Sequence, residues 1–184
     1  AGVFAGVYPE CQQKLSVFHN LIDTEAIRQK ALLPAEKSMH EGIRLLTVGR
    51  LTPQKGFDCA VYALKLLLEK QYPVYWYIIG EGPEYGRLTQ LARSLHVEDY
   101  FIFLGMQTNP YPYFKMADFY IHATRFEGKS IAIQEAQVLG CAIAASDCSG
   151  NREQIVSGVD GLLCPFSPEG IANAVEYLIE HPQT

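Results

Sequence analysis

From Ile43 onward, short runs that are apolar at nearly every position alternate with stretches whose apolar residues recur every three or four positions. The first kind of run marks strands buried on both faces, the second amphipathic helices. The pattern predicts a first strand over Arg44–Gly49, a Pro/Gly loop, and a helix over Phe57–Lys70. A second strand follows at Val74–Ile79 and a second helix at Pro83–Val97, with Pro83 suited to the helix start. Tyr100–Leu104 predicts the third strand, then a Tyr/Pro-rich loop with a short helix near Tyr113. Asp118–Thr124 with a helix over Ser130–Leu139 makes the fourth pair, and Cys141–Ser146 with a short helix from about Arg152 the fifth. Gly161–Cys164 is the last strand and Pro168–Glu180 the closing helix.

Apolar strands alternating with amphipathic helices mean a parallel sheet covered on both faces. The fold class is therefore α/β: a Rossmann-like, doubly wound parallel sheet of about six strands, most simply in the order 3-2-1-4-5-6. Ligands of such sheets bind beyond the carboxyl ends of the strands where the order reverses, between strands 1 and 4. The loops there are Arg50–Gly56 and Arg125–Gly128, so topology alone directs Arg50 and Lys55 towards Glu127 and Glu135. Residues 1–42 read differently. Leu15–Asn20 suggests a strand, Asp23 a cap for a helix through Leu32, and Pro34–Gly42 a polar loop. This region looks like an interdomain connection.

The chemistry gathers at that reversal. Glu127 and Glu135 stand eight positions apart. If most of the span is helical their backbones are about 12 Å apart. That is too far for a proton-sharing dyad and exceeds the roughly 5 to 10 Å of a glycoside hydrolase pair, unless flexible side chains narrow the gap. The spacing suits two ends of one extended ligand. Arg50 and Lys55 flank a turn before a helix N-terminus, an arrangement that fits a diphosphate or merely two solvated charges. Glu135 lies in an apolar run, where a buried carboxylate needs partners such as ribose hydroxyls; otherwise it is a helix-surface acid. Glu127 either meets the ligand or favours the helix dipole, and Gly128 either admits backbone amides to a ligand or only shapes the turn. Gly80-Glu81-Gly82-Pro83 lacks the dinucleotide spacing and reads as a turn lining the pocket. His122, on a strand, reads as a core histidine with satisfied nitrogens. Glu153 is placed to cap the short helix or touch the ligand. A Walker A cradle is absent.

Composition narrows the classes. The 184 residues suit one domain, or one domain and a tail, and 48% hydrophobic residues are enough for a core. A net charge of −5 argues against nucleic acid as a partner. The five cysteines have no zinc spacing and fit a reducing cytoplasm; Cys59, Cys141 and Cys164 read as small buried hydrophobes. No segment approaches the roughly 18 apolar residues of a membrane span. Ala1 is an unusual native start, and the chain stops just after a helix, as an excised piece of a longer protein would.

These segments together resemble the C-terminal domain of retaining GT-B glycosyltransferases, the large family 4. The resemblance rests on Val48-Gly49-Arg50-Leu51 with Lys55-Gly56, then Gly80-Glu81-Gly82-Pro83, Phe103-Leu104-Gly105 and Ala117-Asp118. The Glu127/Glu135 pair, Gly140 and Gly150-x-x-Glu153 follow in family order. It covers residues 43–182, and Phe18–Asp23 looks like the family's lead into its interdomain linker. It implies a donor-binding domain at 43–184, with 1–42 as linker and the end of a missing N-terminal domain. It also implies that Arg50 and Lys55 neutralise the diphosphate of a UDP- or other NDP-sugar, that Glu127 meets the transferred sugar, and that Glu135 accepts from the ribose. Gly49, Gly82, Gly105 and Met106 would line the nucleotide site, and the backbone about Gly128, Lys129, Ser130 and Ile131 would hold sugar or phosphate oxygens. One departure stands out: the family usually has an aromatic or aliphatic residue, then Gly or Pro, where this chain has Lys129-Ser130. Lys129 is then either a further phosphate contact or a solvated charge.

The implied function is sugar transfer to a glycan or lipid-linked acceptor held by the N-terminal domain, in polysaccharide or glycolipid assembly. No cofactor or metal is implied, and no Asp-x-Asp motif is present. The full-length enzyme would be a cytoplasmic hexosyltransferase, with peripheral contact at the inner membrane face as an option. The isolated piece is expected to transfer almost nothing. The alternatives are a sugar-nucleotide epimerase of GT-B architecture and a non-catalytic nucleotide-sugar-binding module.

Overall fold

The computed structural model describes residues 6–14 and 21–181. The strand suggested at 15–20, and the part of the family-like segment at 18–20, lie outside the described residues. Six parallel strands form one sheet: β1 (Ile43–Val48), β2 (Val74–Ile79), β3 (Phe101–Gly105), β4 (Phe119–His122), β5 (Ala142–Ser146) and β6 (Leu162–Cys164). Their order is β3-β2-β1-β4-β5-β6, the doubly wound order expected from the sequence. The helices are α1 (Thr24–Lys30), α2 (Phe57–Glu69), α3 (Tyr85–Ser94), α4 (Tyr111–Met116), α5 (Ile131–Val138), α6 (Ser149–Arg152) and α7 (Pro168–Glu180).

Strand periodicity divides the core. Leu45, Trp76, Ile78, Ile121 and Ala144 point to one face, against α2, α3 and α7. Their neighbours Leu46, Tyr77, Tyr120 and Ile143 point to the other, with Phe114 of α4 and Ile133 and Ala136 of α5. Both sets are buried, which is why the strands read as unbroken apolar runs. One polar joint crosses the sheet: the Trp76 indole donates to Thr47 Oγ1 (2.9 Å), which donates to the Ile121 carbonyl (2.7 Å).

Helix ends depart from the sequence reading for local reasons. The Glu84 amide donates to Leu51 O (3.1 Å), so Pro83 belongs to a turn and α3 starts at Tyr85. His96, with φ 57, stops the same helix short of Val97. The short helix expected to begin near Arg152 instead ends there: it starts at Ser149, and the Arg152 amide donates to Cys148 O (3.0 Å). Glu153 therefore follows the helix as an exposed residue and cannot cap its N-terminus. Asp23 does cap α1, accepting from the Ala26 amide at 2.9 Å. That helix packs on α4 and α5, and the loop after it is pinned to the sheet. The Lys37 amide donates to Tyr113 OH (3.0 Å), the His40 amide donates to Tyr77 OH (2.6 Å), and the His40 ring stacks 4.6 Å from Tyr75. All five cysteines are free thiols. Cys59 and Cys164 are buried and Cys141 is partly so, and burial pushes these thiols up, Cys59 to about 11.

Candidate functional site

The loops after β1 and β4 are sewn together at the reversal of strand order. Gly56 makes this approach possible: at φ 63, any added Cβ would lie 2.4 Å from the Ala123 carbonyl. The Arg125 amide donates to Gln54 O (2.9 Å), Gln54 Nε2 to Phe126 O (2.9 Å), and Thr124 Oγ1 contacts both carbonyl oxygens at 3.0 Å. Arg125 is tied to Asp58 (2.7 Å) and lies 5.0 Å from the Phe166 ring centre. Its guanidinium is thereby committed to the protein, tying the loop after β4 to α2.

Lys55, its stem laid over Gly49, forms an ion pair with Glu127. The Glu127 carboxylate also accepts from the Gly128 amide (3.2 Å), and its Oε2 lies 3.4 Å from His122 Nε2. The His122 ring and the Lys55 ammonium hold the Glu127 carboxyl at about 2, against the upward push of burial. Arg50 is exposed, and its side chain has no hydrogen bond or ion pair among the described residues. The two loops thus offer one uncommitted, exposed guanidinium, one ammonium held by an acid, and a carboxylate that stays ionised at neutral pH.

The second acid sits apart from the first. Helix α5 begins only at Ile131, so half of the Glu127–Glu135 span is loop and the all-helical separation does not apply. Glu135 is half-buried and accepts from Tyr111 OH (2.9 Å). Burial raises its pKa, while the Tyr111 hydrogen bond opposes that rise. It lines a cavity of about 230 Å³ with Tyr111 and, from the first helix, Asp23, Ile27 and Lys30. A second cavity, about 530 Å³, is bounded by Gly80, Gly82, Tyr85, Phe103 and Gly105, so the Gly80–Pro83 turn does line a pocket. Met106 beside it is 66% exposed. A larger cleft, about 760 Å³, opens at the opposite ends of β4–β6 around Asp118, Cys141 and Asp160, away from the cationic loop.

The Lys129–Ile131 segment is less open than expected. Ser130 is buried; its amide donates to Gln154 Oε1 (2.6 Å), and Gln154 Nε2 donates back to Ser130 O (2.8 Å). The Ser130 amide is therefore engaged by the protein, and Ile131 is an exposed side chain at the helix start. Gly150 presses on this loop so closely that a Cβ would stand 1.7 Å from the Gly128 carbonyl.

Three residues that the sequence reading did not place at the site hold its candidate residues. Gln154 clamps Ser130, and Tyr111 holds Glu135. His122 is buried as expected but not satisfied: Nδ1 lies 3.2 Å from Tyr120 OH, while Nε2 has no aligned hydrogen-bond partner. Its position at the carboxyl end of β4, next to the crevice, was the available signal. Nothing in the Tyr/Pro-rich loop pointed to Tyr111.

A doubly wound sheet of this strand order with flanking helices has the architecture of a GT-B glycosyltransferase domain. The family model for glycosyl transferases group 1 matches residues 28–184, and the chain belongs to that family. It is 33% identical over 158 residues to the N-acetylgalactosamine-N,N'-diacetylbacillosaminyl-diphospho-undecaprenol 4-alpha-N-acetylgalactosaminyltransferase of Campylobacter jejuni, covering 85% of this chain and 42% of that protein. An uncharacterized glycosyltransferase of Haemophilus influenzae is 32% identical, with 83% and 44% covered. The chain therefore spans less than half the length of these relatives. Among solved structures, Anabaena Alr3699/HepE in complex with UDP-glucose superposes with a TM-score of 0.73 at 25% identity, covering 78% of this chain and 40% of that one. The C-terminal domain of the Francisella tularensis group 1 family protein LpcC shares the fold, with a TM-score of 0.68 at 22% identity over 91% of this chain and 87% of that domain.

Proposed function

We propose that the chain is the donor-binding half of a retaining, family 4 glycosyltransferase that moves a hexosyl group from a nucleotide-diphosphate sugar to a glycan or lipid-linked acceptor. The observation that carries this is the Lys55–Glu127 ion pair at the switch point, with Arg50 exposed on the same loop as Lys55. It is supported by family membership and by the similarity to a protein solved with UDP-glucose. Arg50 and Lys55 bind the diphosphate. As the glycosidic bond breaks, they meet the negative charge that grows on the departing nucleotide, in place of a metal ion. Glu127 addresses the transferred sugar and Glu135 the ribose hydroxyls, with Tyr111 yielding its hydrogen bond to them. The base occupies the cavity between the Gly82 turn and Gly105–Met106. Residues 1–42 are the linker and the end of an acceptor domain, and the enzyme works on the cytoplasmic face, in peripheral contact with the membrane.

Titrating the full-length protein against UDP-, GDP- and ADP-sugars tests the reading: one nucleotide series is expected to bind and turn over. A double change Arg50→Ala, Lys55→Ala removes two charge-assisted contacts and should weaken the nucleoside diphosphate by about 100-fold, with the nucleoside unaffected. Equal losses for both ligands would refute the diphosphate assignment. The 184-residue chain alone should bind the nucleotide weakly and transfer almost nothing.

A further inference from the structure

His122 ends β4 with its ring 2% exposed, and its Nε2 is a buried polar atom without a hydrogen-bond partner among the described residues. The groups facing it are few. On its own strand Tyr120 OH stands 3.2 Å from Nδ1; from the loop after β4, Glu127 Oε2 stands 3.4 Å from Nε2; from the loop after β1, Lys55 reaches the same carboxylate. From β5, Ser146 Oγ approaches only the His122 carbonyl oxygen.

A neutral imidazole has one N–H and one lone pair. If the proton sat on Nδ1, the Nε2 lone pair would face an ionised carboxylate, which is repulsive. The Tyr120 hydroxyl donating to Nδ1 leaves the N–H on Nε2, which lies 3.4 Å from Glu127 Oε2 without being aligned for a hydrogen bond. Burial lowers the His122 pKa and keeps the ring neutral, so it offers a hydrogen bond and not a second cation. The ring is too enclosed to touch a ligand itself. It acts through Glu127.

We infer that His122 is a positioning residue for Glu127, holding the carboxylate ionised and aimed once Lys55 is drawn from it to the donor diphosphate. The inference rests on the donor-site reading above. In the free protein Glu127 is paired with Lys55, and the His122 Nε2 contact stands open at 3.4 Å. When a diphosphate takes Lys55, the Nε2–H contact closes and replaces the lost ion pair, through the relay Tyr120 O–H to Nδ1 and Nε2–H to Glu127. No bond is made or broken in this exchange.

Two measurements test it. Carbon-detected titration of the Glu127 carboxyl in this chain reads the contact without any ligand. In His122→Leu the Glu127 pKa should rise from about 2 towards the ordinary glutamate range. In the full-length protein, with whichever nucleotide sugar it turns over, His122→Leu should lower kcat by about 10- to 100-fold, as loss of a hydrogen bond to a charged group would. Donor KM should stay within about 3-fold, and the acid limb of the pH–rate profile should move to higher pH. His122→Gln, whose amide nitrogen reaches the place of Nε2, should restore most of kcat; His122→Asn, which reaches only Nδ1, should not. A His122→Leu protein with unchanged Glu127 titration and kcat overturns the inference. If Glu127→Gln turns over normally, the donor-site reading falls as well, whereas a dead Glu127→Gln beside a normal His122→Leu isolates the failure to His122. Should no His122 variant fold, Tyr120→Phe removes the relay's first donor; an unchanged Glu127 titration in that protein also overturns it.

Discussion

Gly150→Ala sets two ordinary effects against each other, and the structure fixes which wins. Gly150 lies inside α6, where alanine is the better helix former by about 1 kcal/mol. Its φ is not left-handed, so no conformational strain opposes the change. What opposes it is contact: the new Cβ would stand 1.7 Å from Gly128 O, 2.3 Å from Glu127 O and 2.7 Å from Glu127 C. All three are backbone atoms, so no side-chain rotation relieves the overlap. Reaching ordinary contact displaces the Glu127–Gly128 loop by about 1.5 Å or more, and overpacking of this kind costs about 1–3 kcal/mol. Gly86→Ala is the control, because its Cβ meets nothing within 4 Å on α3 and only the propensity gain remains. Urea unfolding of the two variants should therefore shift in opposite directions, Gly150→Ala down and Gly86→Ala up by about 0.5–1 kcal/mol. Because a misplacement of about 1 Å can cost about 100-fold in rate, Gly150→Ala should also lower kcat of the full-length protein by roughly that factor. A Gly150→Ala chain as stable as wild type, or more so, would refute the claim that this glycine exists to let the helix reach the loop.

Thr47→Val keeps the shape of the sheet's polar joint but strands the buried Trp76 indole N–H, at a cost of about 1–3 kcal/mol visible in thermal melting; a neutral outcome would show the indole finds another acceptor. Acidification should destabilise the chain. The folded pKa of Glu127, about 2, lies below its ordinary 4.5, so its contribution is present above pH ~5 and lost as the pH falls towards 2. His122, lowered by burial, acts in the same direction from about pH 6.5 downward, because the unfolded ring takes a proton the folded one resists. Urea midpoints that rise on acidification would contradict both assignments. Tyr111→Phe removes the one hydrogen bond holding the Glu135 pKa down, so the acid limb of nucleotide affinity should move to higher pH; an unmoved limb would detach Tyr111 from the proposed ribose site.

Pattern alone carried the order of the sheet because each strand is buried on both faces and each helix on one, and burial is written in residue type. The same logic brought the loops after β1 and β4 together, and with them Lys55 to Glu127, since the ends of those strands are neighbours in any doubly wound sheet of this order. It failed at helix ends. There the decisive contacts, such as the Glu84 amide on Leu51 O, join segments that pattern treats separately. It also passed over His122, Tyr111 and Gln154, because a buried histidine, a loop tyrosine and a helix-flanking glutamine look alike whether or not they meet a carboxylate or an amide. Even the spacing of the two acids changed once four of its residues proved to be loop.

Sequence by itself determined the α/β class, the strand order and the juxtaposition of the loops after β1 and β4, all consequences of periodicity and connectivity. Only the tertiary structure decided how the candidate residues are held: Lys55 on Glu127 with His122 behind it, Glu135 on Tyr111, and Ser130 locked by Gln154. These are contacts of ångström tolerance between residues 5 to 72 positions apart in the chain, and hydrogen bonds and ion pairs depend on distance and direction that no one-dimensional pattern encodes.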